Sequence, residues 1–81
     1  MLSIKILGSQ CGSCRRLEEN VRQAVRENRF EANIEKIEGI DQFIFYGIAR
    51  IPALVINEQV VAQGMVLSPA KITELLVERL K

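Results

Sequence analysis

Residues 51–57, IPALVIN, form an apolar run with a proline at its second position. A short unbroken stretch of aliphatic and β-branched side chains is the mark of a strand buried on both faces. Such a strand needs neighbours along its edges and cover above and below. That requirement commits the chain to a sheet dressed with helices.

The remaining segments supply both. Residues 2–7, LSIKIL, read as another largely buried strand ending at Gly8. From Ser13 the period lengthens, and Leu17, Val21, Ala24 and Val25 fall on one helical stripe that ends near Asn28. Glu18, Glu19, Arg22, Gln23, Arg26 and Glu27 take its wet side. RFEANIEKI (29–37) reads as a strand at an edge or in a partly exposed position, because of its polar content. Gly39 opens a second helix in which Ile40, Phe43, Ile44, Gly47 and Ile48 share a stripe, with Phe45 and Tyr46 at its flank. After IPALVIN, the dipeptide EQ makes a tight connection and VVAQG (60–64) returns as the second arm of a hairpin. Ser68 is a good N-cap and Pro69 fits the first helical position, with Ile72, Leu75, Leu76 and Leu80 on the apolar face behind them.

The order β-α-β-α-β-β-α predicts one α/β domain over residues 1–81, a four-stranded mixed sheet with three helices. Two right-handed crossovers would make parallel neighbours, and the hairpin would add an antiparallel strand. Function in such sheets gathers beyond the carboxyl ends of the parallel strands.

Charge and hydropathy narrow the partners. Eleven basic residues against ten acidic ones leave a net charge of +1, which argues against duplex nucleic acid. No apolar run approaches the roughly 20 residues that span a bilayer. The opening MLSIKILG lacks the basic, apolar and cleavage regions of a signal peptide, so the expected location is cytoplasmic. A monomer is expected.

The chain's two cysteines, Cys11 and Cys14, lie in GSQCGSCRRLEEN (8–20). A disulfide staple, a metal clip and a reversible redox couple all use this spacing. A staple across so short a loop constrains little of the unfolded chain, and structural disulfides are unusual in the cytoplasm. Two thiolates can hold copper or zinc. Carrier domains with CxxC at this place end in a strand, however, whereas SPAKITELLVERL closes this chain as a helix. A structural zinc or iron–sulfur site within a monomer lacks ligands, since there is no histidine.

Redox chemistry uses the placement directly. At a helix N-terminus Cys11 faces unpaired N–H groups and the positive end of the helix dipole, which favour thiolate. Arg15 and Arg16 add positive charge, and Cys14 returns to the same helix face one turn later. Gly12 and Ser13 are small enough to let a partner chain approach.

A distant stretch carries a resemblance. YGIARIPALVIN (46–57) resembles the thioredoxin segment that leads into the cis-proline, and VVAQGMVLSPAKITELLVERL resembles the last strand, glycine and closing helix of that fold. With CGSC continuing into CRRLEEN, nearly the whole chain is similar to the minimal thioredoxin/glutaredoxin-like redox-active disulfide proteins of archaea and bacteria. The resemblance implies a thioredoxin-like fold and a thiol–disulfide oxidoreductase acting on disulfide-containing proteins. In it Cys11 is the nucleophile and Cys14 the resolving thiol, and the Cys11–Cys14 disulfide replaces any cofactor. It further implies that the Ile51–Pro52 peptide is cis, that Pro52 keeps a backbone N–H and competing metals from the sulfurs, and that the Ile51 backbone pairs with substrate. Gly12, Ser13, Ile51, Pro52 and Gly64 would then form the substrate-contact surface. The implied electron donor is a flavoprotein reductase or glutathione, and GMVLS (64–68) lacks the acidic pair of a glutathione site, which favours the reductase.

Three departures stand out. Gln10 occupies the usual tryptophan position, and Ser13 replaces the proline between the cysteines. Lys5 stands where larger thioredoxins carry a buried acid, and its alternation with Ile4 and Ile6 makes it either a solvated charge at a sheet edge, the favoured reading, or an unusual group under the disulfide. Besides metal carriage, the alternative to disulfide exchange is a non-catalytic interaction module of the same fold. Such modules usually lose one or both cysteines.

Overall fold

In the computed structural model, which describes residues 1–9 and 11–80, the elements follow that order. They are β1 (Leu2–Leu7), α1 (Gly12–Asn28), β2 (Ala32–Ile37), α2 (Ile40–Phe45), β3 (Ala53–Ile56), β4 (Gln59–Gln63) and α3 (Pro69–Leu80). The strands pair as β2-β1-β3-β4. Gln10 lies outside the described residues.

Alternation in β1 sorts its side chains between two layers. Leu2, Ile4 and Ile6 join Leu54 and Ile56 of β3 in a core closed by Leu17, Val21 and Ala24 of α1 and by Ile72 and Leu76 of α3. Leu7 faces the other way, with Ala53 and Val55, beneath Phe43, Tyr46 and Ile48. The sheet is therefore sandwiched, with α1 and α3 on one side and α2 with its following loop on the other.

The expectation of two parallel crossovers is corrected at α2. β1 and β2 are parallel, but β3 runs antiparallel to β1, as β4 does to β3. Length explains the difference. The 17 residues of α1 advance about 25 Å, enough to carry the chain back along the sheet. The six residues of α2 advance only about 9 Å, so the chain re-enters at the end it left, with Ala53 opposite Leu7.

The same shortness changes the expected stripe of α2. Phe43 and Ile48 pack, whereas Ile40 and Ile44 are exposed, at 70% and 74%. Tyr46 ends the helix and turns onto the sheet. The hairpin turn falls on Asn57 and Glu58, both with positive φ (49° and 68°), one residue earlier than expected, and Gln59 already belongs to β4. Two successive left-handed residues give the turn whose twist matches that of paired strands. At α3 the Ser68 hydroxyl accepts the Lys71 N–H at 3.2 Å, the side-chain cap its position predicts. Leu80, expected on the apolar face of that helix, is exposed.

Lys5 is not at an edge. It sits on central strand β1 with its side chain only 18% exposed, on the α2 side of the sheet. Its Nζ donates to Glu58 Oε1 at 2.7 Å and to Tyr46 OH at 2.8 Å, and the Tyr46 hydroxyl donates to Glu58 Oε2 at 2.9 Å. A cation beside two polar partners thus occupies a place on the sheet that an apolar side chain would otherwise fill.

Candidate active site

β1 delivers the chain to one end of the sheet, and α1 starts there. Cys11 is the N-cap of α1, with extended backbone, and its Sγ accepts the Cys14 N–H at 3.2 Å. That sulfur does what a capping oxygen does, satisfying one of the helix's unpaired donors. Cys14, in the first turn, is fully buried, while Cys11 is half-buried. Gly12 and Ser13 between them are exposed.

Cys14 is seated by an absence. A Cβ on Gly8 would lie 2.5 Å from the Cys14 sulfur, 3.3 Å from its Cβ and 3.7 Å from the Cα of Pro52. Only a residue without a side chain lets the last residue before the loop, the buried thiol and the proline converge. Pro52 is buried, its peptide bond with Ile51 is cis, and Ile51 itself is partly exposed. The loop before Pro52 is tied to β4 and beyond: the Ala49 N–H donates to Gln63 Oε1 at 2.9 Å, and the Gly64 N–H donates to the Pro52 carbonyl at 2.8 Å.

The two thiols differ electrostatically. Hydrogen bonding from the Cys14 thiol, then from the Cys14 and Ser13 backbone, pulls the Cys11 pKa below the ordinary thiol value. Burial, and then the demand of donating to Cys11, pushes Cys14 up. The arrangement can present one thiolate to solvent while holding a second, protonated thiol in contact behind it. Among the described residues, no group of three or more His, Cys, Asp or Glu side chains is gathered to hold a metal ion.

The residues singled out from sequence converge only in part. Cys11, Cys14 and Pro52 meet at one point, and Gly64 joins them through its hydrogen bond to Pro52. Arg15 and Arg16 are exposed in the first turn of α1. Two residues of the site carry no functional mark in the sequence: Gly8, legible there only as the end of a strand, and Arg50, whose stem lies over Gly64. A glycine six residues before the second cysteine was the available signal for the first. Nothing in the sequence signalled the second.

This geometry defines a class: a four-stranded mixed sheet with a CxxC at the mouth of its first helix, set against a proline at the start of its third strand. Solved structures with the same fold include thioredoxin-2, described as a component of the malaria parasite's protein secretion machinery. It matches with a TM-score of 0.79 and 9% identity over 96% of this chain and 82% of that one. Chloroplastic thioredoxin z matches at 0.76, with 22% identity over 96% of this chain and 77% of that one. The germline-specific thioredoxin Deadhead of Drosophila melanogaster matches at 0.70, with 19% identity over 95% and 79%. At such identities the likeness concerns the fold.

Sequence carries the argument further. Residues 2–77 match the family model described as a thioredoxin domain. A thioredoxin of Methanothermobacter thermautotrophicus is 36% identical over 76 residues, covering 94% of this chain and 99% of its own length. The chain belongs to the thioredoxin family, and its cysteine pair makes it, in the broad sense, a thiol–disulfide oxidoreductase.

Proposed function

We propose that this protein exchanges disulfides with protein partners, with Cys11 as nucleophile and Cys14 as resolving thiol. The observation that carries the reading is the asymmetry of the pair: Cys11 accessible with its pKa lowered, Cys14 buried with its pKa raised. In the reducing direction the Cys11 thiolate attacks one sulfur of a substrate disulfide. That S–S bond breaks, a mixed disulfide forms, and the departing substrate sulfur leaves as a thiolate. Cys14 then gives up its proton to that thiolate and attacks Cys11 Sγ, which breaks the mixed disulfide; the second substrate sulfur leaves as a thiolate and takes a proton from water. The products are a substrate dithiol and a Cys11–Cys14 disulfide, so two electrons have passed from the protein to its partner.

Pro52 has no N–H to offer the sulfurs, and in this reading it keeps that side of the pair free of a competing donor. Ile51, exposed beside it, offers backbone to an extended substrate segment, with Gly12, Ser13 and Gly64 forming the rest of the contact surface. A flavoprotein reductase returns the electrons and the protein works as a cytoplasmic monomer. The redox-active disulfide serves in place of a bound cofactor.

The test is trapping. Cys14→Ser should accumulate mixed disulfides through Cys11 with a model protein disulfide such as oxidised insulin, and Cys11→Ser should accumulate none. A redox titration should find a reversible two-electron transition between roughly −180 and −280 mV. Cysteines that resist oxidation, or a Cys14→Ser variant that traps nothing, would sink the proposal.

A further inference from the structure

Arg50 lies two residues before Pro52, in the loop that completes the site. Its aliphatic stem rests on the backbone of Gly64: a Cβ there would lie 3.0 Å from Arg50 Cβ, 3.0 Å from its Cδ and 3.6 Å from its Cγ. Gly64 has φ of +70° and donates its N–H to the Pro52 carbonyl. The glycine therefore does two things at once. It adopts a backbone conformation that side chains disfavour, and it leaves a bare ledge on which a long side chain can lie flat.

The guanidinium at the end of that stem makes no hydrogen bond or ion pair among the described residues. The carboxylates that do pair are engaged elsewhere: Glu18 with Arg22 and Lys36, Glu58 with Lys5, Glu74 with Lys71, and Glu78 with Arg79. Arg15 and Arg16, in the first turn of α1, are likewise exposed and without an ion pair among the described residues. Glu38 and Asp41 belong to the same end of the sheet but flank the start of α2, away from the Arg50–Gly64 ledge in the chain. Exposed guanidinium groups are thus carried by both segments that build the site, the first turn of α1 and the loop before Pro52, and the stem of the second is packed on Gly64. An exposed guanidinium with no partner among the described residues, its stem laid along Gly64, is suited to a carboxylate, which its fork can grip bidentately.

We propose that Arg50 is a specificity-determining residue that selects disulfides flanked by Asp or Glu in an extended protein segment. This rests on the exchange function proposed above. The segment would pair along Ile51 and pass Arg50 within a residue or two of its reacting cysteine, and the charge favours its encounter as well as its binding.

The experiment measures second-order rate constants for reduction of two oxidised peptides by the pre-reduced protein. The peptides differ only in having Glu or Gln beside the disulfide, and the proteins are wild type, Arg50→Gln and Arg50→Glu. At low ionic strength the wild type should favour the Glu peptide about three- to five-fold, the range an exposed charge pair supports. Arg50→Gln should bring the ratio close to one, and Arg50→Glu should invert it. Raising the salt to about 0.5 M should shrink the contrast, because the groups are exposed. A ratio that stays the same in both variants overturns the assignment, as does an equal slowing of both peptides. A wild type that reduces neither peptide overturns the exchange function as well.

Discussion

On the side of the sheet covered by α1 and α3, Ile4, Ile6, Leu54 and Ile56 meet Leu17, Val21, Ile72 and Leu76, all fully buried. On the other side Leu7, Ala53 and Val55 are buried, but their cover consists of half-buried Phe43, Tyr46 and Ile48 and the Lys5–Tyr46–Glu58 hydrogen-bonded cluster. One face is close-packed and apolar, and the other is thin and partly polar. The loop that carries Ile51 and Pro52 grows out of the thin side. Cys14, by contrast, is anchored on a helix of the thick side. The site therefore joins a helix packed on the thick side, which holds the sulfurs, to a loop that leaves the thin side and is held by its hydrogen bonds to Gln63 and Gly64.

Large-to-small substitutions should break this comparison most sharply. Leu17→Ala or Leu54→Ala should cost about 2–5 kcal/mol in urea unfolding, a large fraction of what so small a domain possesses. Phe43→Ala removes a half-covered ring and should cost less, about 1–2 kcal/mol by area removed from water. Equal losses on the two faces would contradict the contrast drawn here.

Gly8→Ala tests the seam between the halves. The new methyl would need the space of the Cys14 sulfur, so a loss of about 1–3 kcal/mol is expected from overpacking. Displacing Cys14 should also slow resolution, and mixed disulfides would persist during turnover on a gel. Rapid resolution in a folded Gly8→Ala protein would show that the sulfur has other room.

The smallest effect belongs to the polar cluster of the thin face. Lys5 and, after it, Tyr46 hold the Glu58 pKa below the usual carboxylate range. Its contribution is therefore present above the unfolded carboxylate pKa and lost as pH falls through the lower folded value. Lys5 is shifted upward by Glu58 and then Tyr46, so its contribution is complete below the unfolded lysine pKa and lost as pH rises through the folded one. The difference in urea midpoint between wild type and Glu58→Gln should be flat from about pH 6 to 9 and should close below about pH 4. A difference that persists at low pH would mean that Glu58 acts through packing rather than charge.

Much of this was legible in the chain. The period change at Ser13, the Ser68–Pro69 start and the apolar run before Asn57 are local signals, and each element they predict is present. The direction of β3 was not legible, because it depends on how far α2 extends, and Ile40, Ile44, Gly47 and Ile48 repeat at helical spacing whether or not the helix continues. Lys5 was misplaced for a related reason. Alternation says which face of a strand a residue takes, but not which neighbours wait there, and its two partners come from residues 46 and 58. The cysteines were visible as a motif, whereas Gly8 and Arg50 acquire meaning only through contacts across the fold.

The seat of Cys14 changes what counts as the motif. Anyone grafting CGSC onto another strand-to-helix turn would carry the two thiols and leave behind the residue three places ahead of the first. In this protein the inner sulfur fills the volume that an ordinary amino acid at position 8 would claim for its own side chain. The portable unit is therefore the seven-residue string from Gly8 to Cys14 together with a proline to close over it. A graft without that glycine would be expected to leave both thiols facing water, and so to lose the distinction between an accessible thiol and a buried one.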